Sequence, residues 1–319
     1  MKSAYLLLIF SIITLVSCRK EEHIVLSEPV TTGTALDVHG LFFTDALHGY
    51  ACGGSLYDAG VWWKTEDGGK SWCCIDSVYI KCAYSVTYLN ASQGVISGFD
   101  GFIARTSNGG EDWDIINIPG WEPVLDLYVQ GLNGWVIAGG TSFDKGFLGR
   151  SADGGQNWQM QEVPHRMESL HSRDGQHLVA GGFGGLYYSC DSGKSWLTDA
   201  QRGDFYTDVY MPDGQHAVAV GQQGSILFSD TRGQQWRVVK SVNHPFEAAE
   251  SFEAVHFYDA QNGMAVGMGG LIYGTEDGGQ SWYKIKSFTG MRLRDVIMTS
   301  PTAAVVAGER GTIFRVQRE

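Results

Sequence analysis

Basic side chains are scarce in this sequence. Its 319 residues include 23 lysines and arginines against 35 aspartates and glutamates, which gives a formal net charge of −12. A chain this acidic repels phosphate backbones, and no stretch combines basic and aromatic residues in the way that nucleic-acid binding requires. We therefore expect no nucleic-acid partner.

Long hydrophobic runs are also lacking beyond the first residues. The run from Ala4 to Val16 follows a single lysine, and it is too short and too close to the start for a stable transmembrane span. No other stretch is long or apolar enough to cross a bilayer. We therefore expect a mature protein that is anchored to a membrane rather than embedded in it.

The end of this run, Leu15-Val-Ser-Cys18, resembles the bacterial lipobox. The resemblance implies that residues 1–17 are a signal peptide, that Cys18 is diacylated, and that residues 18–29 form a tether; an ordinary secretory signal is the alternative. Arg19 is not acidic, which implies an outer-membrane location in the cell envelope. Lys20-Glu-Glu22 resembles the export tag of surface-exposed lipoproteins, although a solvated tether explains it equally well.

The signatures of common catalytic and metal sites are missing from the sequence. There is no Gly-x-Ser-x-Gly elbow, and the Gly-Lys-Ser triplets at Gly69 and Gly193 lack the earlier glycine of a phosphate loop. The Asp-Gly-Gly turns hold too few oxygens for an EF-hand, and the histidines are not spaced for zinc. We therefore predict no cofactor and no metal.

One eight-residue phrase, Thr275-Glu-Asp-Gly-Gly-Gln-Ser-Trp282, recurs in varied form along most of the chain. Six tryptophans, 38 to 46 residues apart, end the copies: Trp72, Trp113, Trp158, Trp196, Trp236 and Trp282. The third residue of five copies is Asp67, Asn108, Asp153, Asp191 or Asp277, and the copy before Trp236 is degenerate. A period of this size with short strands on either side is typical of a propeller.

Each copy predicts a turn between the two outer strands of a blade. Asp277 can accept hydrogen bonds from backbone N–H groups in the turn, and Gly278 and Gly279 can adopt positive φ at little cost. An indole at every turn predicts a wedge that is buried between adjacent blades.

The phrase matches Ser/Thr-x-Asp-x-Gly-x-x-Trp, the Asp-box of bacterial neuraminidase repeats. With the preceding Gly-Met-Ala-Val-Gly267 and Gly270-Leu-Ile-Tyr-Gly-Thr275, it resembles the photosystem II stability and assembly factor family from about Leu36 onward. The resemblance implies an all-β fold, a seven-bladed propeller, in which the Asp-boxes are structural and lie away from any active site.

The inner strands of the blades align in seven places: Gly40, Ser85, Asp126, Ser169, Asp208, Ala254 and Asp295. Only six blades have a box and an outer strand after it, because the chain stops soon after Phe314. We predict that residues between Ile24 and Ala35 pair with Thr312 to Val316, which completes seven four-stranded blades and removes an exposed edge. The propeller would span residues 30–319.

A propeller usually binds its ligand at the mouth of its central channel. The candidate binding residues are Trp121, Asp126, Tyr128, His171, Asp208, Tyr210, His256, Arg292, Arg294, Asp295 and Arg310. The three aspartates have a structural alternative, in which each bonds the backbone of a neighbouring blade. Trp121 lies in a stiff loop between two prolines, where an aromatic ring offers a contact surface for sugar or protein.

Five cysteines remain after Cys18. A disulfide between Cys74 and Cys82 would tie the first blade to the second, and the sequence allows Cys73 with Cys82 equally well. Buried reduced thiols are the alternative.

The resemblance implies a non-catalytic scaffold for protein interaction or assembly, and we expect a monomer anchored to the membrane by its lipid that binds a protein partner. A glycan-binding or neuraminidase-like glycosidase propeller is the alternative, although the Arg-x-Pro motif of neuraminidases is absent. A quinoprotein-like redox enzyme is a third class, which only the propeller shape favours.

Overall fold

The computed structural model describes residues 25–56, 59–75, 81–118, 120–140, 142–199, 203–243 and 249–318. The predicted signal peptide, Cys18 and residues 18–24 of the tether lie outside them. The described residues form 28 strands and two 3₁₀ turns, Phe99–Gly101 and Met268–Gly270. The strands assemble into seven antiparallel sheets of four strands each.

The strands follow one another blade by blade from the channel outward. Blade 1 contains β2 (Asp37–Phe43), β3 (Gly49–Ser55), β4 (Ala59–Thr65) and β5 (Cys73–Ile75). Blade 2 contains β6 (Ala83–Tyr88), β7 (Gly94–Gly98), β8 (Phe102–Thr106) and β9 (Asp114–Asn117). Blade 3 contains β10 (Val124–Gln130), β11 (Asn133–Gly139), β12 (Gly146–Ser151) and β13 (Gln159–Val163). Blade 4 contains β14 (Met167–Ser172), β15 (Leu178–Gly182), β16 (Gly185–Ser189) and β17 (Leu197–Asp199).

The last three blades repeat the pattern, except that the final one takes its outer strand from the beginning of the chain. Blade 5 contains β18 (Tyr206–Tyr210), β19 (Ala217–Gly221), β20 (Ile226–Ser229) and β21 (Arg237–Lys240). Blade 6 contains β22 (Phe252–Phe257), β23 (Gly263–Gly267), β24 (Ile272–Thr275) and β25 (Tyr283–Ile285). Blade 7 contains β26 (Leu293–Met298), β27 (Ala303–Gly308), β28 (Thr312–Arg318) and β1 (Val25–Thr31).

The first strands of successive blades contact one another in a closed circle, in which β26 of blade 7 contacts β2 of blade 1. This arrangement is a seven-bladed β-propeller with a central channel, which confirms the fold predicted from the repeats. Across the described part of the chain, we find no helix with the length and apolar character that a membrane crossing requires.

The predicted ring closure is confirmed. Strand β1 pairs antiparallel with β28 over seven positions, from Val25 opposite Arg318 to Thr31 opposite Thr312. Just beyond β1, the Thr32 hydroxyl donates to the carbonyl of Gly311 at 2.8 Å. The beginning of the chain therefore supplies the outer strand of the last blade and covers the edge that β28 would otherwise expose.

The second strand of each blade is the most deeply buried part of the sheet. Strands β15, β19 and β23 are buried at every position. A strand of this kind is covered on both faces, because each blade lies between two others, so small apolar residues replace the usual apolar–polar alternation. The sequences Leu-Val-Ala-Gly-Gly and Ala-Val-Ala-Val-Gly show this composition.

Each Asp-box closes a turn through its own side chains. In the last copy, Thr275 Oγ1 accepts the N–H of Gly279 at 3.0 Å and donates to Asp277 Oδ1 at 2.8 Å. Asp277 also accepts the N–H and the hydroxyl of Ser281, at 2.9 and 2.6 Å. The corresponding bonds to Ser71 lower the pKa of Asp67 to about 2. The box is thus a network of local hydrogen bonds that stabilises the turn.

Each box tryptophan packs against the preceding blade. The ring of Trp113 lies 5.2 Å from that of Trp62 in blade 1. The other pairs that share a buried cluster are Trp72 with Val305, Trp158 with Ile103, Trp196 with Trp135, Trp236 with Val179 and Trp282 with Val218. Gly279 lies directly over the preceding blade as well, since a Cβ there would meet Val218 Cγ2 at 2.7 Å.

Candidate functional site

The propeller has two faces with different loops. The upper face, as we name it, is where the first strands begin and where the loops between second and third strands lie, such as residues 98–102 and 182–185. The box face carries the Asp-box turns, such as residues 65–72 and 275–282. A channel with a cavity volume of about 520 Å³ is lined by the first strands of all seven blades.

Two of the predicted aspartates bridge three blades each inside the channel. Asp126 of blade 3 accepts the Ser85 hydroxyl of blade 2 at 3.0 Å and the Leu170 N–H of blade 4 at 2.9 Å. The equivalent donors to Asp208 are the Ser169 hydroxyl at 2.6 Å and the Val255 N–H at 2.7 Å. These carboxylates therefore link neighbouring blades, as the structural alternative described.

Asp295 makes the corresponding link across the closure of the ring. Its Oδ2 accepts the N–H of Leu41 in blade 1 at 2.7 Å, and its Oδ1 accepts the N–H of Val296 at 2.7 Å. Burial raises the pKa of Asp295 to about 7, against the opposing effect of these two N–H groups. Burial likewise raises the pKa of Asp126 and Asp208.

A row of aromatic side chains lines the channel, and each of them lies two residues after the aligned position of its blade. Tyr128, His171, Tyr210 and His256 come from consecutive blades, and the rings of His171 and Tyr210 stack at 4.1 Å. Each histidine accepts a backbone N–H from the next blade through Nδ1, from Met211 or Met298, at 3.1 Å. Burial lowers the pKa of both histidines to about 3, so the imidazoles are neutral at pH 7.

A layer of charged side chains surrounds the channel mouth at the upper face. Arg294 of blade 7 pairs with Asp37 of blade 1 at 2.6 Å. Arg292 pairs with Glu253 of blade 6 at 2.7 Å, and Arg166 pairs with Glu168 within blade 4. The mouth thus combines three arginines with three carboxylates in ion pairs.

The sequence prediction missed Glu168 and Glu253 because a β-bulge breaks the period of two. All seven first strands shift register just before the aligned position, and the extra residue turns toward the channel. The extra residues are His39, Tyr84, Leu125, Glu168, Thr207, Glu253 and Arg294. These residues could have been found in the sequence, because each lies one residue before the aligned position of its blade.

A cluster of phenylalanines lies beside the mouth on the upper face. Phe143 is 54% exposed and Phe183 is 45% exposed, and their ring centroids are 5.0 Å apart. The ring of Phe205 completes the cluster at 5.9 Å from Phe183. The Arg166 guanidinium carbon lies 5.8 Å and 5.6 Å from the ring centroids of Phe143 and Phe205. We name these three rings the Phe cluster; the sequence prediction did not include them.

Three predicted residues lie on the upper face but do not line the channel, and one of them is Arg292, which reaches the mouth only through its ion pair with Glu253. Trp121 is 77% exposed and lies near the outer end of blade 2, next to Asn117. Arg310 is exposed at the tip of a blade 7 loop, and its backbone N–H donates to Asp37 at 2.9 Å. The channel therefore brings together most of the predicted binding residues, but not these three.

The disulfide predicted between Cys74 and Cys82 is not formed, nor is the alternative between Cys73 and Cys82. No disulfide joins these three cysteines. Cys74 lies on the outermost strand of blade 1, whereas Cys82 precedes the innermost strand of blade 2 and is buried. The two cysteines thus lie at opposite ends of the blade radius.

The described residues include no group of three His, Cys, Asp or Glu side chains placed to hold a metal ion. In the channel, the predicted aspartates and histidines use their acceptors on protein N–H and O–H groups. These acceptors are therefore already engaged within the protein.

Comparisons with known proteins agree with this fold. Residues 202–318, less than half of the chain, match the family model of the photosynthesis system II assembly factor YCF48. A structure of YCF48 bound to D1 peptide is 21% identical, with a TM-score of 0.72 over 92% of this chain and 96% of that one. YCF48 from Cyanidioschyzon merolae is 15% identical, with a TM-score of 0.70 over 91% of this chain and 98% of that one.

The WD40 propeller domain of Doa1 matches almost as well in shape. It is 14% identical, with a TM-score of 0.70 over 94% of this chain and 98% of that one. A search of curated proteins finds no significant match. The resemblance predicted from the Asp-boxes is confirmed: the chain is similar to YCF48 propellers, in fold over most of its length and in sequence over residues 202–318.

Proposed function

We propose that this protein is a non-catalytic, lipid-anchored scaffold of the cell envelope that holds a segment of another protein on its upper face. The observation that carries the proposal is the Phe cluster next to the charged mouth. Phenylalanine rings left in water beside arginine side chains are the combination that protein–protein interfaces favour at their centres.

The size of the Phe cluster supports a specific contact. A buried phenylalanine removes 150–250 Å² from water, so the half-exposed Phe143 and Phe183 together leave roughly one such area uncovered. Covering it would contribute on the order of 5 kcal/mol before the costs of association. The adjacent ion pairs can bond the backbone of a bound segment at the rim.

The relatives support a polypeptide as the ligand. One solved structure is of YCF48 bound to D1 peptide, so a propeller of similar fold does bind a peptide. The identity of that partner is not carried over, because 21% identity extends only to the fold.

The course of the chain supports an orientation for the anchored protein. Strand β1 begins at Val25 opposite Arg318, at the end of blade 7 that borders the box face. If Cys18 is lipidated, six residues separate it from Val25, and the seven steps between these two residues reach at most about 25 Å. The box face would then lie toward the bilayer, and the upper face would point away from it toward a partner.

Photocrosslinking from the two faces tests the scaffold function. A benzoylphenylalanine in place of Phe183 should crosslink one reproducible protein in intact cells. The matched control is Tyr258 on the box face, which is 49% exposed compared with 45% for Phe183. Equal crosslinking from both positions, or none from Phe183, would contradict the proposal.

The anchor has a separate test. Cys18→Ser should abolish incorporation of labelled palmitate and release the protein from the membrane fraction. Retention of both the label and the membrane association by the variant would exclude lipidation at this residue.

A further inference from the structure

A second cavity on the upper face lies away from the channel and the Phe cluster, at the outer end of blade 2. It has a volume of about 220 Å³ and is lined by Lys81, Phe99, Asp100, Phe102, Asn117 and Trp121, together with Ile115. Phe102 is buried and forms its floor, whereas the Trp121 indole is 77% exposed. A flat aromatic surface thus stands next to three polar side chains.

Two residues of this cavity hold backbone conformations that side chains disfavour. Asp100 has φ +59° and Trp121 has φ +62°. In the corresponding loops, glycine occupies the position of Asp100 in blades 4 and 6, as Gly184 at φ +68° and Gly269 at φ +64°, and Arg310 occupies it in blade 7 at φ +57°. Blades 2 and 7 therefore carry a charged side chain where glycine would be less strained.

The polar groups of the cavity form a compact set of donors and acceptors. Lys81 Nζ pairs with the Asp100 carboxylate, whose side chain is 27% exposed, while Lys81 is 51% exposed. Asn117 lies opposite Phe102 on the outer strand and contributes an amide. The set can both donate to and accept from one ligand.

From these observations, the geometry points to a saccharide-binding site in which one pyranose ring stacks on Trp121 and its hydroxyls bond Asp100, Lys81 and Asn117. A hydroxyl group can donate to a carboxylate and accept from an ammonium at the same time, so a vicinal diol matches the Lys81–Asp100 pair. The apolar C–H face of the sugar matches the indole.

An apolar peptide side chain fits this cavity less well than a sugar. It would cover the Lys81–Asp100 pair without replacing the hydrogen bonds to water that these groups lose, which is unfavourable. The Phe cluster, by contrast, offers aromatic rings with one arginine and suits such a side chain. The saccharide site is therefore independent of the protein-binding function proposed above.

Fluorine NMR on the full chain labelled with 5-fluorotryptophan tests the site. The probes are purified maltohexaose, cellohexaose, mannohexaose and chitohexaose, and the Trp121 resonance is assigned from a Trp121→Phe variant. At least one of the hexasaccharides should shift the Trp121 resonance in a saturable way. If none does, or if only resonances of other tryptophans shift, the proposal fails.

Two variants give a sharper test. Trp121→Ala should weaken saccharide binding at least tenfold, and so should Asp100→Gly. Asp100→Gly should at the same time raise the melting temperature by about 2 °C, because it relieves the left-handed strain. A purely structural Asp100 would instead lower stability on substitution and leave affinity unchanged.

The matched control is Phe183→Ala in the Phe cluster on the same face. This variant should keep the wild-type affinity for the saccharide while it weakens binding of a protein partner. Equal loss of saccharide binding in Phe183→Ala and Trp121→Ala would place the sugar elsewhere and overturn the proposal. A Trp121 resonance that responds to the protein partner but to no saccharide would do the same.

Discussion

Replacing a box tryptophan should lower the free energy of unfolding more than replacing an exposed tryptophan does. Trp236 is 7% exposed, shares a buried cluster with Val179 and Leu186 of blade 4, and donates to the Gly233 carbonyl at 2.9 Å. An indole in this position buries about 200 Å², worth on the order of 5 kcal/mol. We therefore expect Trp236→Ala to lower the free energy of unfolding by roughly 3 to 5 kcal/mol.

Urea denaturation followed by circular dichroism measures this loss. Trp121→Ala is the matched control, because its indole is 77% exposed, and it should change the free energy of unfolding by no more than about 0.5 kcal/mol. A loss below about 1 kcal/mol for Trp236→Ala, or equal losses in both variants, would refute the role of the tryptophans as wedges between blades.

Three further predictions follow from the hydrogen bonds and the backbone. Thr32→Val removes the hydroxyl bond to the Gly311 carbonyl but keeps the backbone N–H bond to the same oxygen, and loss of the hydroxyl bond should cost about 1 to 2 kcal/mol in urea denaturation; unchanged stability would contradict this. Gly279→Ala should lower the free energy of unfolding by about 1 to 3 kcal/mol, because Gly279 has φ +89° and the new methyl group would meet Val218. An unchanged free energy of unfolding would contradict close packing between blades 5 and 6. Because the folded pKa of Asp295, about 7, lies above its unfolded value, the folded state binds the extra proton. Stability should therefore fall by about 1.4 kcal/mol per unit as pH rises from 5 to 7, relative to Asp295→Asn; parallel pH profiles would exclude this titration.

The repeats made the architecture predictable because six of the seven blades carry an Asp-box. The tryptophan that ends each box follows the turn between the third and fourth strands of its blade. The absence of a box after Phe314 left one strand missing, and the segment around Val25 was the one spare piece of chain.

The binding surface was less predictable, for two physical reasons. A bulge in every first strand breaks the alternation of inward and outward residues, so Glu168 and Glu253 were overlooked. The Phe cluster depends on Phe143, Phe183 and Phe205, which come from three blades and meet only after folding. Trp121 was singled out by its loop, and Asn117 is close to it in sequence, but Lys81 and Asp100 come from distant positions.

Hydrogen–deuterium exchange on the complex with the crosslinked partner protein tests the central claim most directly. Binding at the Phe cluster should slow exchange in residues 182–185 and 203–206 and leave the box turns 65–72 and 275–282 unchanged. Protection of the box turns, with free exchange in the upper-face loops, would contradict the account.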